Sequence, residues 1–115
     1  MTISDDQINE IAINTVKAVS DKPHGIFGVD MAYDKNGIPN PTEINISRFF
    51  TTVRFFTEAG MNFPEIFKQL ALGEKLIINK GAVNPLENGL IWLRGMDTQP
   101  KLLKEGDIEQ RIIFR

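Results

Sequence analysis

The chain has 115 residues, of which 42% are hydrophobic and 24% charged, so it has the length and composition of one soluble globular domain spanning residues 1–115. The 13 basic and 15 acidic side chains give a net charge of −2 without a basic run, which argues against a nucleic-acid partner. Cysteine is absent, so a bound metal ion would need oxygen ligands or the single histidine, His24. No apolar stretch approaches the ~20 residues of a membrane span and the first residues are acidic, so we expect a cytoplasmic protein without membrane attachment.

The first predicted element is an amphipathic helix. Ser4 and Gln7 have the spacing of a capping box, which marks a helix start. Apolar residues follow at helical intervals, and Pro23 lies beyond the end of the pattern. The members of this apolar face are Ile8, Ile11, Ala12, Val16 and Val19.

From Gly25 the hydrophobic period changes to two, which predicts a strand. Residues 34–37 are a strong turn signal, and a second extended run follows at 38–46, so we predict a β-hairpin. The two faces of its first strand would carry Phe27, Val29, Met31 and Tyr33 on one side, and Ile26, Gly28, Asp30 and Ala32 on the other.

The rest of the chain predicts helices at 49–59 and 62–73, then a loop at 81–89 and a buried strand at 90–93. Residues 111–115 are a possible last strand. The expected fold class is therefore α+β, with an antiparallel sheet packed against helices.

Oxygen-bearing side chains lie on both strands of the predicted hairpin. Glu43 and Asn45 are two residues apart on one strand, so they share a face. If Asp30 lay opposite Glu43, the two carboxylates would repel each other, and a bound Mg²⁺ would turn that repulsion into ligation. The ordinary alternative is that acids of a surface hairpin are simply solvated.

The position of Asp30 depends on the register of the hairpin. A two-residue turn at Asn36 and Gly37 would place it directly opposite Glu43. A type I turn with a glycine bulge would shift the register by one and send it to the opposite face. A second irregularity, near Pro39 or Pro41, would restore the facing pair. The sequence leaves these alternatives open.

The order of residues 25–30, 34–37 and 42–48 resembles the C-terminal hairpin of ATP-grasp enzymes, including carbamoyl-phosphate-synthase-like and carboxylate–amine ligase members. In that family an acidic residue or Gln precedes a Glu-x-Asn motif, and the three side chains ligate the Mg²⁺ ions on the ATP phosphates. The resemblance implies that Asp30, Glu43 and Asn45 hold Mg²⁺ (or Mn²⁺) and contact ATP. It implies a catalytic, phosphate-facing role for Arg48, which lies one residue later than in the Glu-x-Asn-Pro-Arg form. The resemblance covers residues 8–73.

A chain of this kind would be the C-terminal portion of an ATP-grasp enzyme and would hold half of a nucleotide site. The resemblance implies that the missing subdomain, or a partner chain, supplies the phosphate-binding lysines, the adenine pocket and the carboxylate substrate. The intact enzyme would be an ATP-dependent carboxylate–amine (or similar) ligase that proceeds through an acyl phosphate, and the chain alone would be inactive. The alternative is a non-catalytic binding module that keeps an ATP-grasp-like hairpin. Either way, an apolar surface is left for the missing subdomain, a partner chain or self-association.

Other candidate residues have simpler explanations. A lone His24 before a strand is more often structural or solvated than a ligand. Arg54 suits a surface ion pair better than a phosphate contact, and Arg94 and Asp97 suit a turn better than a substrate site. We expect Trp92 to lie in the core.

Overall fold

The computed structural model describes residues 1–47, 49–76, 78 and 83–107, and they form an α+β fold, as the sequence predicts. The elements are α1 (Asp6–Val19), β1 (Phe27–Tyr33), β2 (Pro39–Ile46), α2 (Val53–Glu58), α3 (Phe63–Leu72), β3 (Leu90–Gly95) and β4 (Thr98–Lys104). The described strands form two separate antiparallel hairpins, β1–β2 and β3–β4, in place of the single sheet that we expected. No helix in these ranges is long and apolar enough to cross a membrane.

The helix α1 begins one residue later than a capping box at Ser4 would require. The carboxylate of Asp5 accepts hydrogen bonds from the backbone N–H groups of Gln7 and Ile8 at 2.9 and 3.1 Å. The Ser4 hydroxyl instead accepts a hydrogen bond from the Asn84 amide at 2.9 Å. The predicted cap was therefore wrong, because a charged carboxylate satisfies two free N–H groups at the positive end of the helix dipole.

The turn of the first hairpin is the glycine-bulge alternative. The N–H of Gly37 donates to the Asp34 carbonyl at 3.0 Å, and the N–H of Asp34 donates to the Ile38 carbonyl at 2.9 Å. Gly37 adopts a φ of 77°, which a residue without a Cβ reaches at little cost. The turn therefore has a three-residue connection, so that Tyr33 pairs with Pro39.

The predicted helix at 49–59 is correct only in its second half, since α2 begins at Val53. Phe50 lies outside the helix, where its ring approaches Gly28 of β1. The next helix, α3, has the predicted ends: the Asn62 side chain accepts from the N–H of Glu65 at 3.2 Å, and Gly73 ends the helix at a φ of 67°. Tertiary contacts can override helical spacing, and Phe50, which packs against the first hairpin, is one of the residues that the predicted helix loses.

A cluster of aromatic rings joins the helices to both hairpins. Phe56 stacks on Phe63 with their centroids 4.6 Å apart, and Phe55 lies 5.9 Å from Trp92 of β3. Phe55 is buried, whereas Trp92, which we expected in the core, is only half-buried. Within the described residues, the buried hydrophobic side chains are only Ile26, Phe55 and Leu90.

The second hairpin extends the single strand that the sequence predicts at 90–93. Its partner β4 pairs with β3 from Lys104 opposite Leu90 to Thr98 opposite Gly95. Thr2 adds a short backbone connection to the edge of β3, because its N–H donates to the Leu90 carbonyl at 2.8 Å. Residues 83–89 form the expected loop, whereas the possible last strand at 111–115 and positions 81 and 82 lie outside the described residues.

Candidate functional site

The register of β1–β2 brings Asp30 and Glu43 directly opposite each other. The turn alone would leave them out of phase, but the register shifts between Asp30 and Met31, where Thr42 is an extra residue on β2. The Thr42 hydroxyl donates a hydrogen bond to the backbone carbonyl of Asp30 at 3.1 Å, and this bond stabilises the bulge. The bulge offsets the one-residue shift of the turn, so the two carboxylates face one another.

Asn45 completes a set of three oxygen-bearing side chains on this face of the hairpin. It lies two residues from Glu43 on β2, and its amide Nδ2 donates to Oδ2 of Asp30 at 3.4 Å. A half-turn about the terminal torsion of Asn45 would present the amide oxygen in place of the nitrogen. The three sequence-predicted residues Asp30, Glu43 and Asn45 are therefore together in the structure.

The face that carries these residues borders a cavity of about 390 Å³. Asp30 and Glu43 are exposed and Asn45 is half-buried, so solutes can reach all three. Opposite the hairpin the cavity is lined by residues 49–52, whose side chains are two phenylalanines and two threonines. Among the described residues the lining contains two carboxylates and no basic group, so its electrostatic potential favours a cation.

Gly28 lets the aromatic wall of the cavity lie against the strand. It pairs with Asn45 on the acidic face, and a Cβ added there would overlap the ring of Phe50. The same ring lies 5.8 Å from Phe56 and 6.4 Å from Phe63, so it is held between the helices and the hairpin. Gly28 therefore fixes the position of the segment that faces the three polar side chains.

The donor set fits a hard cation. Two carboxylates and one carboxamide offer oxygen atoms, which are the ligands that Mg²⁺ takes in proteins. The described residues do not gather three His, Cys, Asp or Glu side chains at any one place that could hold a metal ion. Asp30, Glu43 and Asn45 would thus leave coordination positions for water or for the oxygens of another ligand.

The remaining candidates do not join this cluster. Arg48 lies outside the described residues. Arg54 forms an ion pair with Glu58 at 2.7 Å on the surface of α2, as its position predicts. Asp97 lies in the connection between β3 and β4, as the turn interpretation predicts, whereas Arg94 lies within β3 and not in the turn. His24 is exposed before β1.

A larger cavity of about 470 Å³ lies on the other face of the hairpin, between α1 and β1. Apolar side chains line most of it, and Lys17 is the charged residue among the described ones there. Because the described part of the wall contains no carboxylate and no cluster of polar groups, it offers little to orient a polar reactant. The acidic face is therefore the stronger candidate for chemistry.

Sequence reasoning missed the wall formed by residues 49–52, because a helix through Phe49 would have turned their side chains elsewhere. One signal was available: a glycine on the polar face of a strand often marks the close approach of another group. Gly28 is such a residue, but the sequence does not say which ring approaches it.

We compared the chain with protein-family models, with curated proteins and with solved structures, and no match was found in any of the three.

Proposed function

We propose that this chain is the C-terminal portion of an ATP-grasp ligase and supplies the half of its active site that holds Mg²⁺ and the phosphates of ATP. The observation that carries the proposal is the convergence of Asp30, Glu43 and Asn45 on one face of a hairpin. Two facing carboxylates destabilise a hairpin, so their placement by a bulge is best explained by a cation that they share. The resemblance of residues 25–48 to the ATP-grasp hairpin supplies the identity of the reaction.

Each residue has a distinct task in this proposal. The carboxylates of Asp30 and Glu43 and the amide oxygen of Asn45 would hold Mg²⁺ or Mn²⁺. When bound, the cation would neutralise charge on the ATP phosphates during attack by a carboxylate substrate. Arg48, assigned from its place after the Glu-x-Asn motif, would face the transferred phosphate. An amine would then displace phosphate from the acyl phosphate of the substrate.

The wall opposite the hairpin would shield this chemistry. The ring of Phe50 lines one side of the cavity and would exclude water there, and removal of water would strengthen the electrostatic contacts of the phosphates. The hydroxyls of Thr51 and Thr52 line the same cavity and can donate hydrogen bonds to anionic oxygens. The other half of the nucleotide site would come from the missing subdomain or from a partner chain.

A non-catalytic binding module is the second candidate, and exposed apolar side chains are expected for both candidates. Leu72 is 64% exposed, and so is Val83, while Leu93 is 58% exposed. In either case a partner chain or the missing subdomain would cover side chains of this kind. Both candidates predict a partner, so only the response of the acidic face to metal and nucleotide separates them.

The test is a titration of the ¹⁵N-labelled chain with Mg²⁺ and with paramagnetic Mn²⁺, with and without ATP. We expect Mn²⁺ at millimolar concentration to broaden the amide signals of residues 28–30 and 43–45 before any others. D30N and E43Q should each weaken this response roughly tenfold or more, since even outer-shell partners of a metal ligand are worth about that much.

The matched control is D97N, which removes an exposed carboxylate from the connection of the other hairpin and should leave the response unchanged. Absence of any response at millimolar metal, with and without ATP, would reject the ligase proposal in favour of the binding module. Equal broadening in the wild type and in D30N would reject the assigned ligands.

A further inference from the structure

We propose that Thr42 is a positioning residue of the candidate cation site, because the bulge that it forms in β2 sets the direction of the Glu43 side chain relative to that of Asp30. This inference rests on the proposed function, since it gives Thr42 a task only if these two side chains and Asn45 hold a cation. It comes from the register of the first hairpin and from one hydrogen bond across it.

Thr42 is an extra residue in the pairing of the two strands. Its neighbours, Pro41 and Glu43, pair with adjacent residues of β1, so Thr42 itself has no partner residue there. A chain without Thr42 would reach the same pairs through an uninterrupted ladder, because Glu43 would then follow Pro41 directly. The three polar side chains would also lie on one face of that regular hairpin. Their shared face therefore does not require a bulge, and the extra residue needs another explanation.

A bulge changes the direction of the side chains next to it. In a regular ladder two directly opposite side chains stand side by side, with their Cβ atoms about 4.5–5.5 Å apart. A cation instead needs ligand atoms that converge on one point, at about 2.1 Å each for Mg²⁺. A bulge bends its strand, increases the local twist and re-aims a side chain, and bulges are frequent next to active sites. The bulge at Thr42 lies immediately before Glu43, where it re-aims one of the two carboxylates.

The position of Asn45 indicates where the three side chains would meet. Its amide lies 3.4 Å from Oδ2 of Asp30, so the Asp30 carboxylate leans along the hairpin towards Asn45 and away from the bulge. A common point for the three side chains therefore lies between Glu43 and Asn45 on β2. Thr42 lies on the other side of Glu43 and is not among the described residues that line the cavity, so it would act through the ligands and not as one of them.

The hydroxyl of Thr42 joins the bulge to the backbone of a proposed ligand. A bulge interrupts the ladder, so backbone groups beside it need other hydrogen-bond partners. The Thr42 hydroxyl supplies such a partner, because it donates to the Asp30 carbonyl at 3.1 Å. This bond ties the extra residue on β2 to Asp30 on β1, so it holds the two strands in the geometry that presents both carboxylates to one cation.

An ordinary explanation of the bulge is that it accommodates Pro39 and Pro41, which have no N–H to donate to a ladder. That explanation gives Thr42 a role in the stability of the hairpin but none in its affinity for a cation. The two explanations differ in a measurable way, since only the proposal predicts that cation affinity depends on the Thr42 hydroxyl while the hairpin stays folded.

The experiment is a Mn²⁺ titration of the ¹⁵N-labelled full-length chain, in which broadening of the amide signals of residues 28–30 and 43–45 gives an apparent Kd for each variant. T42V keeps the shape of the side chain and removes the hydroxyl, so we expect roughly tenfold weaker binding. T42S retains the hydroxyl and should bind Mn²⁺ as the wild type does. The matched control is T15V, which removes a bond from a threonine hydroxyl to the Ile11 carbonyl in α1 and should leave the Kd unchanged.

A variant that lacks Thr42 supplies a second and stronger test. We expect it to keep the pairing of Val29 with Ile44, observed as contacts between their protons in NMR spectra, and to lose at least as much affinity for Mn²⁺ as T42V. Weaker binding with intact pairing would separate the direction of the carboxylates from their register, which a purely structural role of Thr42 does not predict.

Wild-type Mn²⁺ affinity in T42V, or in the variant without Thr42, would overturn the proposal for Thr42 and leave the proposed function intact. An equal loss of affinity in T42V and T42S would also overturn it, since the hydroxyl would then not be the cause. A wild-type chain that does not respond to Mn²⁺, with and without ATP, would instead overturn the proposed function on which the inference rests. If removal of Thr42 unfolds the hairpin, the comparison of T42V with T42S still decides.

Discussion

The two hairpins of this protein are built alike but hold different side chains. Both are two-stranded and antiparallel, and both contain a register shift, between Asp30 and Met31 in β1–β2 and between Leu93 and Gly95 in β3–β4. In the first, the bulge brings two carboxylates opposite each other. In the second, the shift lies next to the turn and Leu93 faces Lys101. The position of an irregularity along a ladder therefore decides whether it creates a potential site or only closes a turn.

The hairpins also differ in what attaches them to the rest of the chain. An isolated two-stranded hairpin is marginally stable, so each needs contacts outside its own ladder. For β1–β2 these contacts include the Phe50 ring on Gly28, in addition to α1. For β3–β4 they include Phe55 on Trp92 and the backbone connection made by Thr2. Substitutions at these contacts therefore test whether each hairpin is stabilised separately.

The largest effect is expected for G28A. The added Cβ overlaps the Phe50 ring, which Phe56 and Phe63 prevent from moving away, so we expect a loss of about 2 kcal/mol in unfolding free energy. Urea denaturation measures this loss. G95A in the second hairpin is the matched control, because its Cβ would lie 3.0 Å from the Thr98 hydroxyl, which can rotate, and its stability should stay within about 0.5 kcal/mol of wild type. Equal losses of unfolding free energy in G28A and G95A would show that the contact between Phe50 and Gly28 does not stabilise the first hairpin in particular.

A smaller effect is expected for T2V at the second hairpin. The Thr2 hydroxyl donates to the Glu87 carbonyl at 2.7 Å and accepts from the N–H of Leu90 at 2.9 Å. Valine keeps the shape but removes both bonds, so the loss should be about 1 kcal/mol, and faster hydrogen exchange should be confined to residues near Leu90. T2S retains the hydroxyl and should behave as wild type. Faster hydrogen exchange in β1 or β2 of T2V would contradict the idea that the two hairpins are stabilised by separate contacts.

The smallest effect, of opposite sign, is expected for D30N in the absence of divalent cations. It removes one of two facing carboxylates and should stabilise the first hairpin by roughly 0.2–0.5 kcal/mol. The measurement is thermal unfolding in a chelator at low salt, where charge repulsion is least screened. Addition of Mg²⁺ should then stabilise the wild type and leave D30N unchanged. If D30N is less stable than wild type in chelator, the carboxylates do not repel and the argument for a shared cation fails.

Local patterns in the sequence were sufficient for several elements. The period-two run after Gly25, the turn at 34–37, the Asn62 cap and the Gly73 end of α3 each depend on neighbours in the chain, and each appears in the structure as predicted. The shared face of Glu43 and Asn45 follows from strand geometry alone. Arg48 and the ligand roles themselves stay predictions.

Other features depend on contacts between distant residues, and only the tertiary structure decided them. The bulge at Thr42 forms where two strands pair, so the sequence could state the alternatives for Asp30 but not choose between them. The helix α2 begins only at Val53, and Phe50 before it packs against Gly28, which lies 22 positions earlier in the chain. The strand β4 and its link to Thr2 are likewise long-range. The sequence by itself determined which residues could meet at the acidic face, and the packing of strands and rings decided that they do.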